Sequence, residues 1–329
     1  MQSLSTVEPR IRQPRFRQEG RLGDLFMLHI VNLLLRWVTL NIYHFWGKTR
    51  IREYLWSHLN FEGGRFEYTG RGGELFAGFL KAMGAVILLI ALAGFVFTIF
   101  RPTVGPLIAA ASSIVTIVSH FITALAAYST RGYILSRTRW RSIRFSQTGA
   151  APRFALQSTG HGLLLIATLG LYWPIRRHIL LRTKINNTRF GNASFSYDGS
   201  GKDLYHRFLM SVLLTVPTLG FVWFWYMARD AAYVAAHTRF EGLRFEITYT
   251  GGQLLQLRLG NLAIAILTFG FGYPWVLLRN VNFLFAHLLA EGELGYEQIL
   301  QSEGAAPRSG EGLAEIFGMT GSFLGLGRI

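Results

Sequence analysis

A motif of about fifty residues recurs along this chain, and the recurrence restricts the possible folds more than any other feature of the sequence. Each copy is marked by a Phe that follows an Arg or Ser, and this Arg or Ser stands at positions 15, 65, 144, 194 and 244. Spacing of this kind is typical of a domain assembled from copies of one supersecondary unit. The pattern predicts one repeat domain at 15–290, with units at 15–64, 65–143, 144–193, 194–243 and 244–290.

Each unit shows the same succession of signals. An apolar segment is followed by a break such as Thr168-Leu169-Gly170, and Gly favours helix ends because it tolerates positive φ. A second, cationic segment leads into aromatic and charged residues that alternate around Gly, as at 60–68. This alternation predicts a tight β-hairpin. We therefore predict a helix–break–helix pair in every unit and a short hairpin after it, with some pairing among the hairpins because isolated ones are only marginally stable.

The composition indicates that these helices lie in a membrane. Half of the residues are hydrophobic, and 16% are charged, compared with about 25% in soluble domains. The apolar runs at 79–100 and 104–128 are each long enough to cross a hydrocarbon core of about 30 Å. The predicted fold class is an all-α polytopic membrane protein of five helix–break–helix repeats, with short cytoplasmic β-hairpins.

The formal net charge of +15 is concentrated beside the apolar runs, as in the cytoplasmic flanks of membrane helices. We therefore expect the lipid bilayer and its anionic headgroups as partners, and no nucleic acid. The N-terminus and the hairpins are predicted to be cytoplasmic. Two topologies remain open: each helix pair enters and leaves on one side, or each unit crosses once and successive hairpins lie on opposite faces.

Three segments depart from the regular unit. Residues 1–14 are predicted to be a disordered basic tail, and residues 291–329 a Gly-rich C-terminal tail. Unit 2 carries 29 additional residues between its two helices. The insertion predicts a full transmembrane hairpin with Arg101 and Pro102 at its turn.

Cations recur in the second helix of the units. Since a cation at membrane depth is costly, it is a functional candidate, and two interpretations stay open: the cations line a cavity for an anion, or they contact lipid headgroups. The candidate contacts are Lys48, Arg50, Arg177, Arg229 and Arg279.

Two other residue types recur in register. His58, His237 and His287 precede the hairpins, either as a ligand or proton-relay cluster or as helix-end residues within their own units. The interfacial aromatic residues are predicted to be Trp46, Trp225 and Trp275, as in the aromatic belts of membrane proteins. The spacing of the His residues does not match a metal motif, so the sequence predicts no metal, no cofactor and no catalytic residues.

The recurrence of Thr-Leu-Gly-x-Tyr-x-x-Trp, then a basic helix, then an aromatic hairpin resembles the YjgN-like family of bacterial inner-membrane proteins, which is defined by a domain of unknown function. The resemblance covers roughly residues 15–290, and 310–317 is similar to the family's tail. Asn41 and Ile175 depart from the motif, where other units have Gly and Trp. The resemblance implies a bacterial inner (cytoplasmic) membrane location and brings no activity.

Two functions are therefore expected, and an enzyme less so. The first is transport or channel activity for a small anionic solute, since many transporters are built from repeats. The alternative is a non-transporting envelope protein that binds lipid or a protein partner through its basic cytoplasmic face.

Overall fold

The computed structural model describes residues 16–100, 105–293, 295 and 299–301. The predicted basic tail, the turn at Arg101 and Pro102, and most of the predicted C-terminal tail lie outside these residues. The helices are α1 (Leu22–Val38), α2 (His44–Ser57), α3 (Gly72–Phe100), α4 (Gly105–Arg137), α5 (Ala151–Ala167), α6 (Trp173–Asn186), α7 (Tyr205–Leu213), α8 (Val222–Ala236), α9 (Gly251–Leu267) and α10 (Tyr273–His287). The strands are β1 (Phe16–Gln18), β2 (Leu59–Phe61), β3 (Gly64–Tyr68), β4 (Thr138–Trp140), β5 (Ile143–Gln147), β6 (Thr188–Phe190), β7 (Ala193–Tyr197), β8 (Thr238–Phe240), β9 (Leu243–Ile247) and β10 (Leu288–Glu291).

The prediction of an all-α fold is wrong. The strands form one antiparallel sheet of ten strands, in which each strand pairs with the next from β1 to β10. The physical reason is that every two-stranded hairpin leaves two unpaired edges, and pairing neighbouring hairpins satisfies their backbone hydrogen bonds. The hairpins are therefore the shared centre of the fold and not local appendages of separate helix pairs.

The prediction of a polytopic protein is also wrong. Among the residues whose side chains are described, one helical segment, Ser112–Arg137, is long and apolar enough to cross a membrane. The helices of units 1, 3, 4 and 5 contain 9 to 17 residues, fewer than the roughly 20 that a complete span requires.

Aromatic residues fill one face of the sheet. Phe residues or Trp140 stand opposite one another where the first strand of a unit pairs with the strand after the second helix of the same unit: Phe16 and Phe61, Phe66 and Trp140, Phe145 and Phe190, Phe195 and Phe240. Ring contacts continue between these pairs, and Phe285 of α10 contacts Phe16 at 5.4 Å between ring centroids. Such pairs bury large areas and restrict ring geometry, so they join all five units into one core.

Adjacent units pack where the first helix of one begins beside the second helix of the previous one. A Cβ added at Gly72 would lie 2.7 Å from Cα of Trp46, and one at Gly251 would lie 2.6 Å from Cα of Trp225. Helices α1 and α10 are also in contact, through a cluster that includes Leu25 and Leu278. Unit 1 is therefore a neighbour of unit 5, and the helix pairs surround the aromatic core.

Candidate anion-binding face

The second face of the sheet carries arginines. Arg139, Arg189 and Arg239 occupy the middle of the first strand in three successive hairpins, and all are exposed. Their neighbours Trp140, Phe190 and Phe240 are buried. Because side chains alternate along a strand, the arginines lie on the side opposite the aromatic core.

The pairing register sets these arginines beside one another. Arg139 stands opposite Arg144, and Arg239 stands opposite Arg244. Like charges directly opposite each other destabilise a sheet. Glu67 stands opposite Arg139 and Glu291 opposite Arg244 on the other side, so these carboxylates offset part of the cost and a bound anion would reduce the rest. We call Arg139, Arg144, Arg189, Arg239 and Arg244 the arginine face.

Serine hydroxyls surround the central member of the arginine face. Arg189 stands opposite Ser146 on one side and Ser194 on the other, and no ion pair to Arg189 occurs among the described residues. A guanidinium group binds carboxylate or phosphate through two parallel hydrogen bonds, and a hydroxyl can donate a third. The geometry of this face therefore suits an anionic ligand.

The cations predicted from the sequence have different surroundings. Arg177 forms an ion pair with Asp230, with Nη2 2.6 Å from Oδ2, and lies over the ring of Trp173. Arg50 and Arg229 are exposed, and Arg50 lies over the ring of Tyr43 at 5.6 Å. Lys48 and Arg279 are half-buried, and Arg279 lies against Gly260 of α9. Arg177 is therefore neutralised inside the protein, whereas Arg50 and Arg229 face the surroundings.

The recurrent His residues bond within their own units. Nδ1 of His58 lies 2.7 Å from the carbonyl oxygen of Tyr54, and Nδ1 of His287 lies 2.8 Å from that of Phe283. His237 pairs with Asp198 through Nδ1 at 2.7 Å. In the described part of the chain, no group of three or more His, Asp or Glu side chains could hold a metal ion.

The three predicted interfacial Trp residues lie at the starts of second helices. Trp225 and Trp275 are exposed, and Trp46 is half-buried against Phe76. The close approach of Gly72 to Trp46 and of Gly251 to Trp225 shows that two of these residues also hold adjacent units together.

A buried charged network between units 3 and 4 was missed by the sequence reasoning. Nε2 of His178 lies 3.0 Å from Oδ1 of Asp230, and Nδ1 of His178 bonds the Tyr197 hydroxyl. Burial acts to raise the pKa of Asp230, but the hydrogen bond from His178 and the charge of Arg177 hold this pKa below its usual range. One signal was available: Asp230 is the sole acidic residue of the apolar helix α8.

A second group of cations lies between units 2 and 3. Arg131 donates to Oε1 of Gln147 and to Oγ1 of Thr188, both at 2.8 Å. The Lys184 ammonium lies 5.4 Å from the centroid of the Phe154 ring. Burial and the charges of three nearby arginines lower the pKa of Lys184 to about 8. Neutral side chains therefore bind the Arg131 guanidinium, and the Lys184 ammonium lies against an aromatic ring.

Comparisons with known proteins place the chain among bacterial relatives. The model of a family described as "Bacterial protein of unknown function (DUF898)" matches residues 13–222 and 210–316. A relative from Salmonella typhimurium, "Inner membrane protein YjgN", is 31% identical over 86 residues. That match covers 25% of this chain and 22% of the relative, so the chain matches less than a quarter of that protein's length. No solved structure matches the chain.

Proposed function

Since this chain belongs to the DUF898 family of bacterial proteins of unknown function, as its repeated motif predicts, we propose that it is a non-transporting inner-membrane protein. Its arginine face binds an acidic segment of a protein partner. The name of the Salmonella relative and the apolar segment Ser112–Arg137 support the inner-membrane location. The positive-inside tendency supports a cytoplasmic position for the arginine face.

The observation that carries the binding function is the register of the arginine face. Arginines stand opposite arginines in two strand pairs, and Arg189 has serines on both sides. A row of arginines complements an extended acidic segment, because each guanidinium can bind one carboxylate. The combined positive charge of the row also speeds association with the segment. The exposed apolar turn of each unit lies at one end of the second helix, and the hairpin strand lies at the other end. The arginine face is therefore away from the apolar turns, which supports a partner in the aqueous phase.

Transport of a small anion has less support. The interior shared by the five units is filled by aromatic side chains, including Phe61, Trp140, Phe190 and Phe240. Arg177, one of the cations expected to line a path, is paired with Asp230. These packed rings favour a binding role over a solute path along the centre of the described structure.

A labelled deca-glutamate peptide tests the proposal by fluorescence anisotropy with the purified full chain in non-ionic detergent. The double variant Arg189→Glu/Arg239→Glu should weaken binding about tenfold or more, since two charge-assisted contacts of about 1 kcal/mol each are lost. Arg153→Glu, which reverses one exposed arginine of α5 away from this face where the double variant reverses two, should leave affinity within about twofold.

Equal weakening by both variants would show that the effect comes from net charge and would overturn the arginine face as the site.

Proteoliposomes test whether the protein transports a solute. Chloride or phosphate flux above that of protein-free liposomes, abolished by Arg229→Glu, would restore the transport hypothesis.

A further inference from the structure

We propose that four turns of this protein insert into the hydrocarbon of one bilayer leaflet without crossing it. These insertion tips are the turns between the paired helices of units 1, 3, 4 and 5, at 39–42, 168–171, 218–221 and 268–271. This proposal does not depend on the partner of the arginine face. The lipid bilayer is what covers the insertion tips. Three features of the tips carry the proposal: exposure, backbone strain and hydrogen bonding.

Each tip presents one almost fully exposed apolar side chain at the same place. The exposed fractions are 88% for Leu40, 93% for Leu169, 86% for Leu219 and 92% for Phe269. Single exposed apolar residues are ordinary on a protein surface, but contiguous exposed apolar patches mark interaction sites. An apolar neighbour at each tip is also more than two-thirds exposed, namely Val38, Ile166, Val216 and Leu267, so each tip is an apolar patch.

The exposed side chain of each tip is held in a strained backbone conformation. The φ angles of Leu40, Leu169, Leu219 and Phe269 lie between 49° and 50°. A non-Gly residue in this region costs about 1 kcal/mol or more. Burial within the protein does not offset this strain, because these side chains point outward. Insertion of the side chain into hydrocarbon offsets it, since a fully buried Leu or Phe gains about 1.5–3 kcal/mol.

The backbone amides of the tips are hydrogen-bonded internally, and a turn in hydrocarbon needs such bonds. Oγ1 of Thr218 donates to the carbonyl oxygen of Leu214 at 2.6 Å and accepts from the amide of Val222 at 3.3 Å. Each amide from Thr218 to Trp223 donates a hydrogen bond. Oγ1 of Thr268 acts in the same way, between Ile264 and Gly272.

The same threonine bonds occur at Thr39 and Thr168. Unsatisfied backbone groups exclude most loops from the bilayer core, and Thr hydroxyls are one means of satisfying them. Thr-Leu-Gly and its variants Thr-Leu-Asn and Thr-Phe-Gly therefore form turns whose backbone amides are satisfied without water.

The charges along the chain limit how deeply the tips insert. Residues 154–175, 208–228 and 259–278 contain no Lys, Arg, Asp or Glu, and Arg176, Arg229 and Arg279 follow directly after them. From Val222 to Arg229, helix α8 rises about 10 Å, which is less than one leaflet of a hydrocarbon core about 30 Å thick. The exposed Arg229 then lies at headgroup level, where phosphates neutralise it, whereas Arg176 donates to the Ser158 hydroxyl within the protein. The tip of unit 1 inserts least deeply, because Arg36 in the last turn of α1 donates to Oδ1 of Asn41.

Nitroxide labels on single cysteines measure the depth directly, because the native chain contains no Cys. Leu219→Cys and Phe269→Cys are labelled in the full chain and reconstituted into liposomes of phosphatidylethanolamine and phosphatidylglycerol. Both labels should be accessible to oxygen and inaccessible to a water-soluble nickel chelate. Ser194→Cys, exposed on the arginine face, is the control and should give the opposite result.

A membrane-impermeant maleimide distinguishes insertion from crossing. Reagent added to either side of sealed vesicles should leave Cys labelling at positions 219 and 269 low, and detergent should restore it. Tips as accessible to the chelate as position 194, or labelling from the side opposite position 194, would overturn the proposal. An unchanged melting temperature of each variant in detergent shows that the label reports a folded protein.

Discussion

At the scale of single residues, the protein holds its buried charges in two different ways. Arg177, His178 and Asp230 neutralise one another across the boundary between units 3 and 4. Lys184, by contrast, has an aromatic ring and three neighbouring arginines around it. Burying a charge is tolerated when it is paired, and otherwise the pKa shifts towards the neutral form. The stability contributed at both sites therefore rises with pH, in the acidic range at Asp230 and in the alkaline range at Lys184.

The variant Lys184→Met should increase the free energy of unfolding near pH 7 by about 1 kcal/mol, because it removes a desolvated charge. Between a folded pKa of about 8 and an unfolded pKa of about 10.4, the unfolded chain binds the proton and the folded chain does not. Stability of the native protein at this site therefore rises with pH. Thermal unfolding at pH 7 and pH 10 checks this: the advantage of Met should shrink at pH 10, and a constant difference would contradict the assignment.

The variant Asp230→Asn should lower stability by about 3 kcal/mol at pH 7, because Arg177 loses its buried partner. Asp198→Asn is a matched control. Its pair with His237 is exposed, so a change below about 1 kcal/mol is expected.

The pKa of Asp230 is below its usual range, so its contribution is present above the unfolded pKa and is lost as pH falls through the folded pKa. Denaturation curves from pH 7 to pH 3 should converge for the native protein and the Asp230→Asn variant. Curves that stay parallel would assign the loss to packing alone.

At the scale of secondary-structure elements, glycines set the spacing between units. Gly251 begins α9 against the backbone of α8, whereas a Cβ at the next residue, Gly252, would meet only the Thr250 hydroxyl, at an unstrained 4.0 Å. Both glycines are in the first turn of the same helix. Substituting each of the two glycines in turn therefore separates the loss of stability caused by a close contact from the ordinary effect of Gly on helix stability.

Gly251→Ala should destabilise the protein by about 1–3 kcal/mol, since its Cβ would lie 2.6 Å from Cα of Trp225 and the helices must move apart. Gly252→Ala should be neutral or stabilise by up to about 1 kcal/mol. Melting temperatures of the two variants, measured side by side in detergent, test whether Gly251→Ala is the less stable variant. Equal effects would mean that the contact between α8 and α9 does not limit stability.

At the scale of the whole molecule, one aromatic core connects units that are far apart in the chain. Phe190 contacts Trp140, Phe145 and Phe240, with ring centroids 4.7 to 6.1 Å apart. The C-terminal segment contributes as well, since Ile299 is buried in the same cluster. The strand pairs alternate between tight hairpins and pairs that enclose a whole helix pair, such as Phe145 with Phe190, and the core unites all five units.

Phe190→Ala should lower the free energy of unfolding by about 3–5 kcal/mol, the usual cost of truncating a buried Phe. Phe221→Ala, at a tip and 44% exposed, should cost much less in detergent. A single cooperative transition is expected in both variants. Two separate transitions in Phe190→Ala, observed by calorimetry, would show that the units do not share one core.

Some features of the candidate site follow from the local sequence, and others depend on contacts between distant residues. The recurrent arginines of the hairpins are visible in the sequence, but the repeat pattern predicts contacts from the helix cations Lys48, Arg50, Arg177, Arg229 and Arg279 instead. The register that sets Arg139 opposite Arg144 depends on where the hairpin turn lies. The ion pair of Arg177 with Asp230 joins residues of two different units, and no local pattern relates them.

The sequence by itself determined the chemistry of each segment: apolar helices, Thr-Leu-Gly breaks, hairpins with alternating aromatic and charged residues, and membership of a bacterial family. These are local properties, set by the residues within one unit. Only the tertiary structure decided that the hairpins form one continuous sheet, that most helices are too short to span a bilayer, and that the arginines share a face. Those outcomes depend on backbone pairing and side-chain packing between units, whose partners a local pattern does not specify.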